Sequence, residues 1–349
     1  MLPSRSSMRS FATLLSLTLC CFAVPYASEQ GANDGFILFT TDRDNPDIAG
    51  TCDRCEDIYV MSPDGTNPVR LTWGGGAKTN PAAYNSGMAD WSHSKKLIAF
   101  QSDRVDQVPQ IHLMNLDGSE QQLLVSLPGG AAFPSFSHSG NELCFHGQAA
   151  PRDIYIMNVH GTGLTNLTAP YREPGPHGEP PLLIGDSIRC DWSPKGNAIA
   201  FTNNRNGNQE IYVIDADGTG LRRLTEVAGR DANPAFSPKG DLIAFESNRD
   251  GRSEIYVMNA DGTGPQRLTD FSSEPTPDFP VVTKPTWSPK GDRIAFHRRV
   301  GPHEDTGHFE VYTMNPDGTN VTRITFTTPS PGFSGFPTWG KGWADSIGQ

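Results

Sequence analysis

The chain has 349 residues, including 36 glycines and 29 prolines, with 36% hydrophobic and 19% charged residues. Glycine and proline exceed average usage but fall far short of collagen-like values, and the hydrophobic share excludes a disordered, solvating chain. The formal net charge of −11, with no basic block, argues against nucleic-acid binding, because phosphate contacts need clustered Lys and Arg.

Residues 1–9 carry Arg5 and Arg9 and no acid. Phe11 to Phe22 is almost wholly apolar, and Val24-Pro25-Tyr26-Ala27 ends in a small residue. Charged start, apolar run and small-residue exit are the parts of a secretory signal, so residues 1–27 are expected to be removed and the mature protein to be periplasmic or secreted. The apolar run is shorter than the roughly 20 residues a spanning helix needs, and no other stretch approaches that length, so no membrane span is expected. Cys20 and Cys21 follow Leu19 and Cys20, where a lipidated cysteine normally follows a small residue, which argues against a lipid anchor.

Residues 28–35 form a short linker. Cys52-Asp-Arg-Cys55 comes next and allows a redox pair, half a metal site or a loop staple. No second CxxC and no His after Cys55 disfavour a zinc ribbon or haem attachment, and a loop disulfide is the simplest reading for an exported protein. Cys144 and Cys190 lie in apolar strand contexts and read as buried small hydrophobes.

From Phe36 onward one unit recurs. Asn233-Pro-Ala-Phe-Ser-Pro-Lys-Gly-Asp-Leu-Ile-Ala-Phe245 is matched by Lys284-Pro-Thr-Trp-Ser-Pro-Lys-Gly-Asp-Arg-Ile-Ala-Phe296, with further copies at 189–201, 89–100 and 133–145. Each copy leads to a variable loop, a strand such as Glu254-Ile-Tyr-Val-Met-Asn259, a turn, and a short strand ending in Arg-Leu-Thr. The turns are Asp64-Gly65, Asp117-Gly118, His160-Gly161, Asp217-Gly218, Asp261-Gly262 and Asp317-Gly318, spaced 43–57 residues apart. Four short strands per unit, named A to D in order, predict an all-β, six-bladed propeller of four-stranded antiparallel blades.

Two features predict ring closure. The first copy starts at strand B, and its missing strand A stands at the other end as Gly335-Phe-Pro-Thr-Trp-Gly-Lys-Gly342. Strand A also carries Pro134, Pro234, Pro285 and Pro337, and proline, lacking an N–H, is confined to sheet edges. Strand A is therefore expected innermost, lining a central channel, with the propeller spanning 36–343 and a tail at 344–349. This pattern resembles the propeller of the TolB family and its WD-like repeat relatives. The resemblance implies an envelope protein that binds other proteins, here without the α/β domain that precedes the propeller in that family.

Chain direction puts the A–B and C–D turns on one face and the B–C loops and D-to-A connections on the other. The first set barely varies in length; the second varies widely, at 41–57, 169–186, 270–283, 298–310 and 326–334. Binding groups concentrate on variable loops held by a rigid scaffold, so this loop face and the channel mouth are the expected site. The residues that begin the A strands, Asp90, Arg189, Asp191, Asn233 and Lys284, should reach that mouth.

Other motifs point elsewhere. Asp215-Ala-Asp217-Gly-Thr resembles part of a calcium loop but lacks its final Glu, and a hairpin turn is expected. Arg43, Arg104, Arg205 and Arg249 recur after strand B, while Asp57, Asp153, Glu210, Glu254 and Glu310 recur before strand C, suggesting an internal hairpin ion pair. His303 and His308, on a loop with Glu304 and Asp305, offer a weak divalent-metal candidate. No cofactor and no catalytic residue are expected, because no Gly-x-Ser-x-Gly elbow, HExxH or P-loop is present. The expected role is a non-enzymatic, monomeric scaffold for an envelope protein or peptide, of basic or neutral charge given the acidic surface. The alternative is a metal-dependent, lyase-like carbohydrate enzyme.

Overall fold

The computed structural model describes residues 35–44, 56–74, 84–172, 185–204, 207–272, 282–300, 308–326 and 333–341. The export segment, Cys52, Cys55, Arg205, His303 and most of the long loops lie outside the described residues. Six four-stranded antiparallel sheets form the blades. Strands A are Ser86–Trp91, Ala131–Phe136, Ser187–Trp192, Asp231–Phe236 and Val282–Trp287 in blades two to six. Blade one takes its strand A from the far end of the chain, Ser334–Gly340. That strand pairs with Phe36–Thr41, setting Trp339 opposite Ile37 and Thr338 opposite Leu38. The ring is closed as the displaced copy predicts.

Each sheet is buried on both faces, so its B strand is a near-continuous apolar run where a one-sided sheet would alternate. In blade one, Phe36 and Leu38 pack toward Trp91, Ile98 and Phe100 of blade two. Their neighbours Ile37 and Phe39 pack the other way, with Trp339, onto Ala295, Val311 and Ile324 of blade six. Comparable clusters join the remaining blades.

The recurrent acids are real partners, but among the described residues not of Arg43, Arg104 or Arg249 after strand B. The start of strand C, or the residue before it, carries the acid (Glu310 is the third residue of the longer blade-six strand, His308–Met314), and strand D meets it. Arg70, Arg223 and Arg323 reach Asp57, Glu210 and Glu310 at 2.5, 3.0 and 2.6 Å. The threonine of each Arg-x-Thr or Asn-x-Thr ending donates its hydroxyl to the same carboxylate, as Thr72 does to Asp57 at 2.6 Å and Thr168 to Asp153 at 2.7 Å. That hydroxyl also accepts a strand C backbone N–H, from Ile58 at 3.0 Å and Ile211 at 2.9 Å for example. A strand D that holds only two residues in most blades is thereby pinned by side chains in addition to its ladder. The arginines after strand B instead stack on rings: Arg43 on Phe39, Arg104 on Tyr84, and Arg249 on Phe245 and Tyr256. The Asp-Gly turns close on themselves, Asp217 accepting the N–H and hydroxyl of Thr219 at 2.9 and 2.7 Å, as a hairpin turn should.

Cys144 and Cys190 correct the reading from sequence. They are buried, but bonded to each other, linking strand B of blade three to strand A of blade four across 6.3 Å between Cα atoms. Apolar context shows that a cysteine is inside; only blade stacking shows which residue it faces.

Two outcomes follow from closure and stapling. Trp339→Ala should cost about 3–5 kcal/mol in chemical unfolding, whereas Phe326→Ala, at a position 67% exposed, should stay within about 0.5 kcal/mol. Protein purified from an oxidising compartment and denatured without reductant should leave Cys144 and Cys190 unalkylated, and replacing both with alanine should cost about 2–4 kcal/mol.

Candidate functional site

Every A strand carries the same irregularity. Between Gly87 and Asp90 the register against strand B slips, with two residues opposing one, and the slip recurs at Ala132/Ser135, Ile188/Asp191, Ala232/Ala235 and Thr283/Thr286. The closing strand has it where Thr338 and Gly335 face Leu38 and Thr40. The first bulged residue is non-glycine with a left-handed φ of 47–57°: Met88, Phe133, Arg189, Asn233, Lys284 and Phe336. Such a bulge re-aims a side chain and takes its N–H out of the ladder. For four of them the preceding blade supplies the acceptor. Thr40 accepts from Met88 at 3.1 Å, His146 from Arg189 at 3.2 Å, Thr202 from Asn233 at 3.1 Å and His297 from Phe336 at 2.8 Å. Repetition in all six blades makes the positive φ architectural, and it leaves six variable side chains at one level of the channel.

Across that level Phe133 of blade three meets residues from across the ring. Its centroid lies 5.7 Å from Phe336 of blade one, 4.9 Å from the ammonium of Lys284 in blade six and 4.9 Å from the guanidinium of Arg189 in blade four. Lys284 also lies 5.4 Å from the Phe336 ring. Aromatic contact therefore pinches the channel, with two cations over the one Phe133 ring. A cavity of about 70 Å³ adjoins this level, lined by Asp90, Phe133, Arg189, Asp191, Asn233 and Lys284 and by the four A-strand prolines. All five residues expected at the mouth line this one cavity, which runs from the bulge toward the A–B turns.

They divide into two levels. Arg189, Asn233 and Lys284 occupy the bulge, nearer the loop face. Asp90 and Asp191 stand two residues further along, nearer the A–B turns, and each accepts a backbone N–H of the next blade, from Phe136 and Phe236, at 2.7 Å. Burial pushes the Asp90 carboxyl up to about 6 and that of Asp191 to about 7, the nearby Lys284 opposing the rise in both. Burial, then the charge of Arg189, brings Lys284 down to about 8. His146 and His297 fall to about 3 through burial and the neighbouring cations, so both are neutral acceptors at Nδ1.

Glu246, which sequence reasoning missed, organises the mouth. It accepts from Arg230 at 2.6 Å, Ser253 at 2.6 Å, Asn233 at 2.5 Å and from the Thr283 hydroxyl. Asn233 in turn accepts from Arg189 with its amide oxygen. Glu246, His146, His297, Thr40 and Thr202 share one repeat position, directly after the B-strand phenylalanine, and Gln101 completes the six. A column that varies where its neighbours repeat was the available signal. Phe133 and Phe336 were also missed, although each directly precedes an A-strand proline.

His303 lies outside the described residues. His308 sits 3.2 Å from Glu310, whose oxygens already take Arg323 and Thr325. Among the described residues no group of three or more His, Cys, Asp or Glu could hold a metal ion, and no helix is long and apolar enough to cross a membrane.

A closed ring of six four-stranded blades, with a bulged innermost strand lining a pinched channel, defines a six-bladed propeller. Residues 183–334 match the model of the TolB beta propeller domain. Over 229 residues, 65% of this chain, the sequence is 36% identical to the Tol-Pal system protein TolB of Gluconobacter oxydans, of which it covers 45%. The crystal structure of TolB from Acinetobacter baumannii aligns with a TM-score of 0.68 at 21% identity, over 89% of this chain and 68% of that one. Putative TolB from Agrobacterium tumefaciens aligns at 0.59 and 18% identity, over 88% and 99%. The two structures show a common fold. The propeller is similar to that of the TolB proteins, and the chain spans less than half the length of the curated relatives it matches.

The raised carboxyls carry a pH signature. A group that holds its proton more tightly when folded costs stability as pH rises from its unfolded value near 4 to its folded value. Asp191→Asn removes that loss and keeps an oxygen for the Phe236 N–H. Between about pH 4 and 7 the variant should therefore gain stability over the parent protein, by up to about 1.4 kcal/mol per pH unit, in urea unfolding at stepped pH. Parallel profiles would show that Asp191 titrates normally.

Proposed function

We propose that this propeller is an exported, non-enzymatic scaffold of the cell envelope that docks a protein partner on its loop face, with the channel mouth at the centre of the contact. The observation that carries this reading is the convergence of variable side chains from successive blades on one mouth, framed by turns of constant length on the opposite face. A rigid ring presenting variable groups on one side is suited to recognition. The export signal read from residues 1–27 and the likeness to TolB propellers support the periplasm as the place of action.

The same face carries exposed aromatics. Trp73 and Phe326, 65% and 67% exposed, follow strand D in the neighbouring blades one and six, where the chain leaves the blade on this face. Aromatic side chains are enriched at the energetic centres of protein interfaces. Arg323 lies 4.8 Å from the Phe326 ring and holds it outward beside a cation.

Crosslinking in native envelopes with mass spectrometry should recover a specific partner whose crosslinks map to the loop face. Trp73→Glu with Phe326→Glu should reduce that product at least tenfold without changing melting. Lys195→Glu with Lys239→Glu, on exposed A–B turns of the opposite face, should leave it intact. Equal loss from both pairs, or from neither, would refute loop-face docking.

A further inference from the structure

We propose that the outer rim of blades two and three is a self-association surface, at which a second copy of this chain packs Leu123 and Leu164 against its own across a two-fold axis. The surface is separate from the loop face, and the contact neither needs nor blocks docking there.

Strand D is the unpaired outer strand of every blade. Arginine stands on it in blades one, four, five and six, as Arg70, Arg223, Arg267 and Arg323, each opposite the strand C tyrosine. Charge of that kind guards an exposed edge against another chain. Blade two departs at three linked positions. Gln110 replaces the acid at the start of strand C, Leu123 takes the register of the arginine, opposite His112, and Val125 stands where the threonine would be. Gln110 turns instead to the backbone of Leu127, accepting its N–H at 2.9 Å and donating to its carbonyl at 3.1 Å. Without the ion pair, strand D lengthens to Gln122–Val125 and presents Leu123, 43% exposed.

The next blade continues the surface. Val159, at the C–D turn of blade three, packs with Leu124, and the chain leaves that turn through Leu164, 45% exposed. No Asp, Glu, Lys or Arg occurs from Gln121 to Asn141 or from Ile154 to Tyr171, the segments that hold these two strands D. Asp153, the acid of blade three, is buried and bound to Asn166 and Thr168. Glu120, exposed in the turn before strand D, marks one end of the patch. One exposed leucine is ordinary on a protein surface; two on a rim cleared of charge make a patch that gains by being covered.

Charge names the occupant. Each copy carries −11, so two copies repel, and this rim is where they approach with least repulsion. An acidic or basic partner would find nothing there to pair with. A second copy brings an identical uncharged rim, and a two-fold contact needs only that one patch. Net charge taken as an average favours a monomer; its uneven distribution permits a pair. The bulge at Leu124, between Leu123 and Val125, kinks the edge, so the copies meet through side chains and not through a shared ladder. So small an apolar contact belongs to the weak, transient class, with a dissociation constant on the order of 100 µM. Both loop faces stay open, so a pair offers two docking sites at once.

The test is sedimentation velocity of the full mature protein from about 10 µM to about 1 mM. The mass should rise toward that of a dimer, and more so at about 0.5 M salt than at about 0.15 M, because screening relieves repulsion and no ion pair is lost. Gln110→Glu with Leu123→Arg and Val125→Thr writes into blade two the trio with which its neighbours fold, and should raise the dissociation constant at least tenfold. Leu164→Asp, at an exposed position, should do the same and gives a second reading if the triple variant fails to fold. Trp73→Glu with Phe326→Glu should change nothing. A photocrosslinker at Gln122 in native envelopes should yield the protein's own dimer. A monomer at every concentration overturns the proposal, as does a dimer that ignores the rim substitutions, yields to the loop-face pair or weakens in salt. A crosslink to another protein alone overturns the second copy as occupant.

Discussion

The pairing of Phe36–Thr41 with Ser334–Gly340 is the contact on which the ring depends. A four-stranded blade has two apolar faces and can bury them only between neighbours, so an open row would leave two faces wet. Closing the row removes both, and Trp339 opposite Ile37 converts the last open seam into another interface cluster. The closing hydrogen bonds join chain ends some three hundred residues apart, Ser334 to Thr41 for one. Loop-closure entropy grows only slowly with length, so such a distant partner is thermodynamically affordable where the gain is two buried faces.

A closed ring then creates a problem at its centre, where six edge strands crowd together with unpaired backbone. The bulge recurs in every blade, and in four of them the bulged N–H finds its acceptor on the B strand of the preceding blade, in the residue after the B-strand phenylalanine. Thr40, His146, Thr202 and His297 accept with different chemistry. The same bulge swings its own side chain into the channel. Structural need and variable surface thus sit on one device, which is why a rigid scaffold can change its mouth without changing its blades.

This explains what was legible beforehand. Strand count, ring closure and the innermost position of strand A follow from local rules: turn glycines, edge prolines and a displaced copy. Arg189, Asn233 and Lys284 were readable as channel residues because they open the repeated segment. Their arrangement was not, because contact between Phe133 and Lys284 depends on which blades stand across the ring from each other. The arginine–acid pairing failed for a related reason. Order along the chain puts the arginine after strand B nearest the acid before strand C, but antiparallel pairing of C with D brings Arg70, Arg223 and Arg323 closer. The Cys144–Cys190 link, too, crosses between blades.

Net charge and local field act over different ranges here. The −11 of the whole chain sets a long-range preference for basic or neutral surfaces, one that salt screens over roughly 8 Å at physiological ionic strength. Within the channel, Arg189 and Lys284 share one narrow space with Asp90 and Asp191, walled by phenylalanine and proline, where screening is weak. Charge discrimination at a distance therefore falls to the outer surface, while the channel, which carries both signs, acts only on a group that has already reached it.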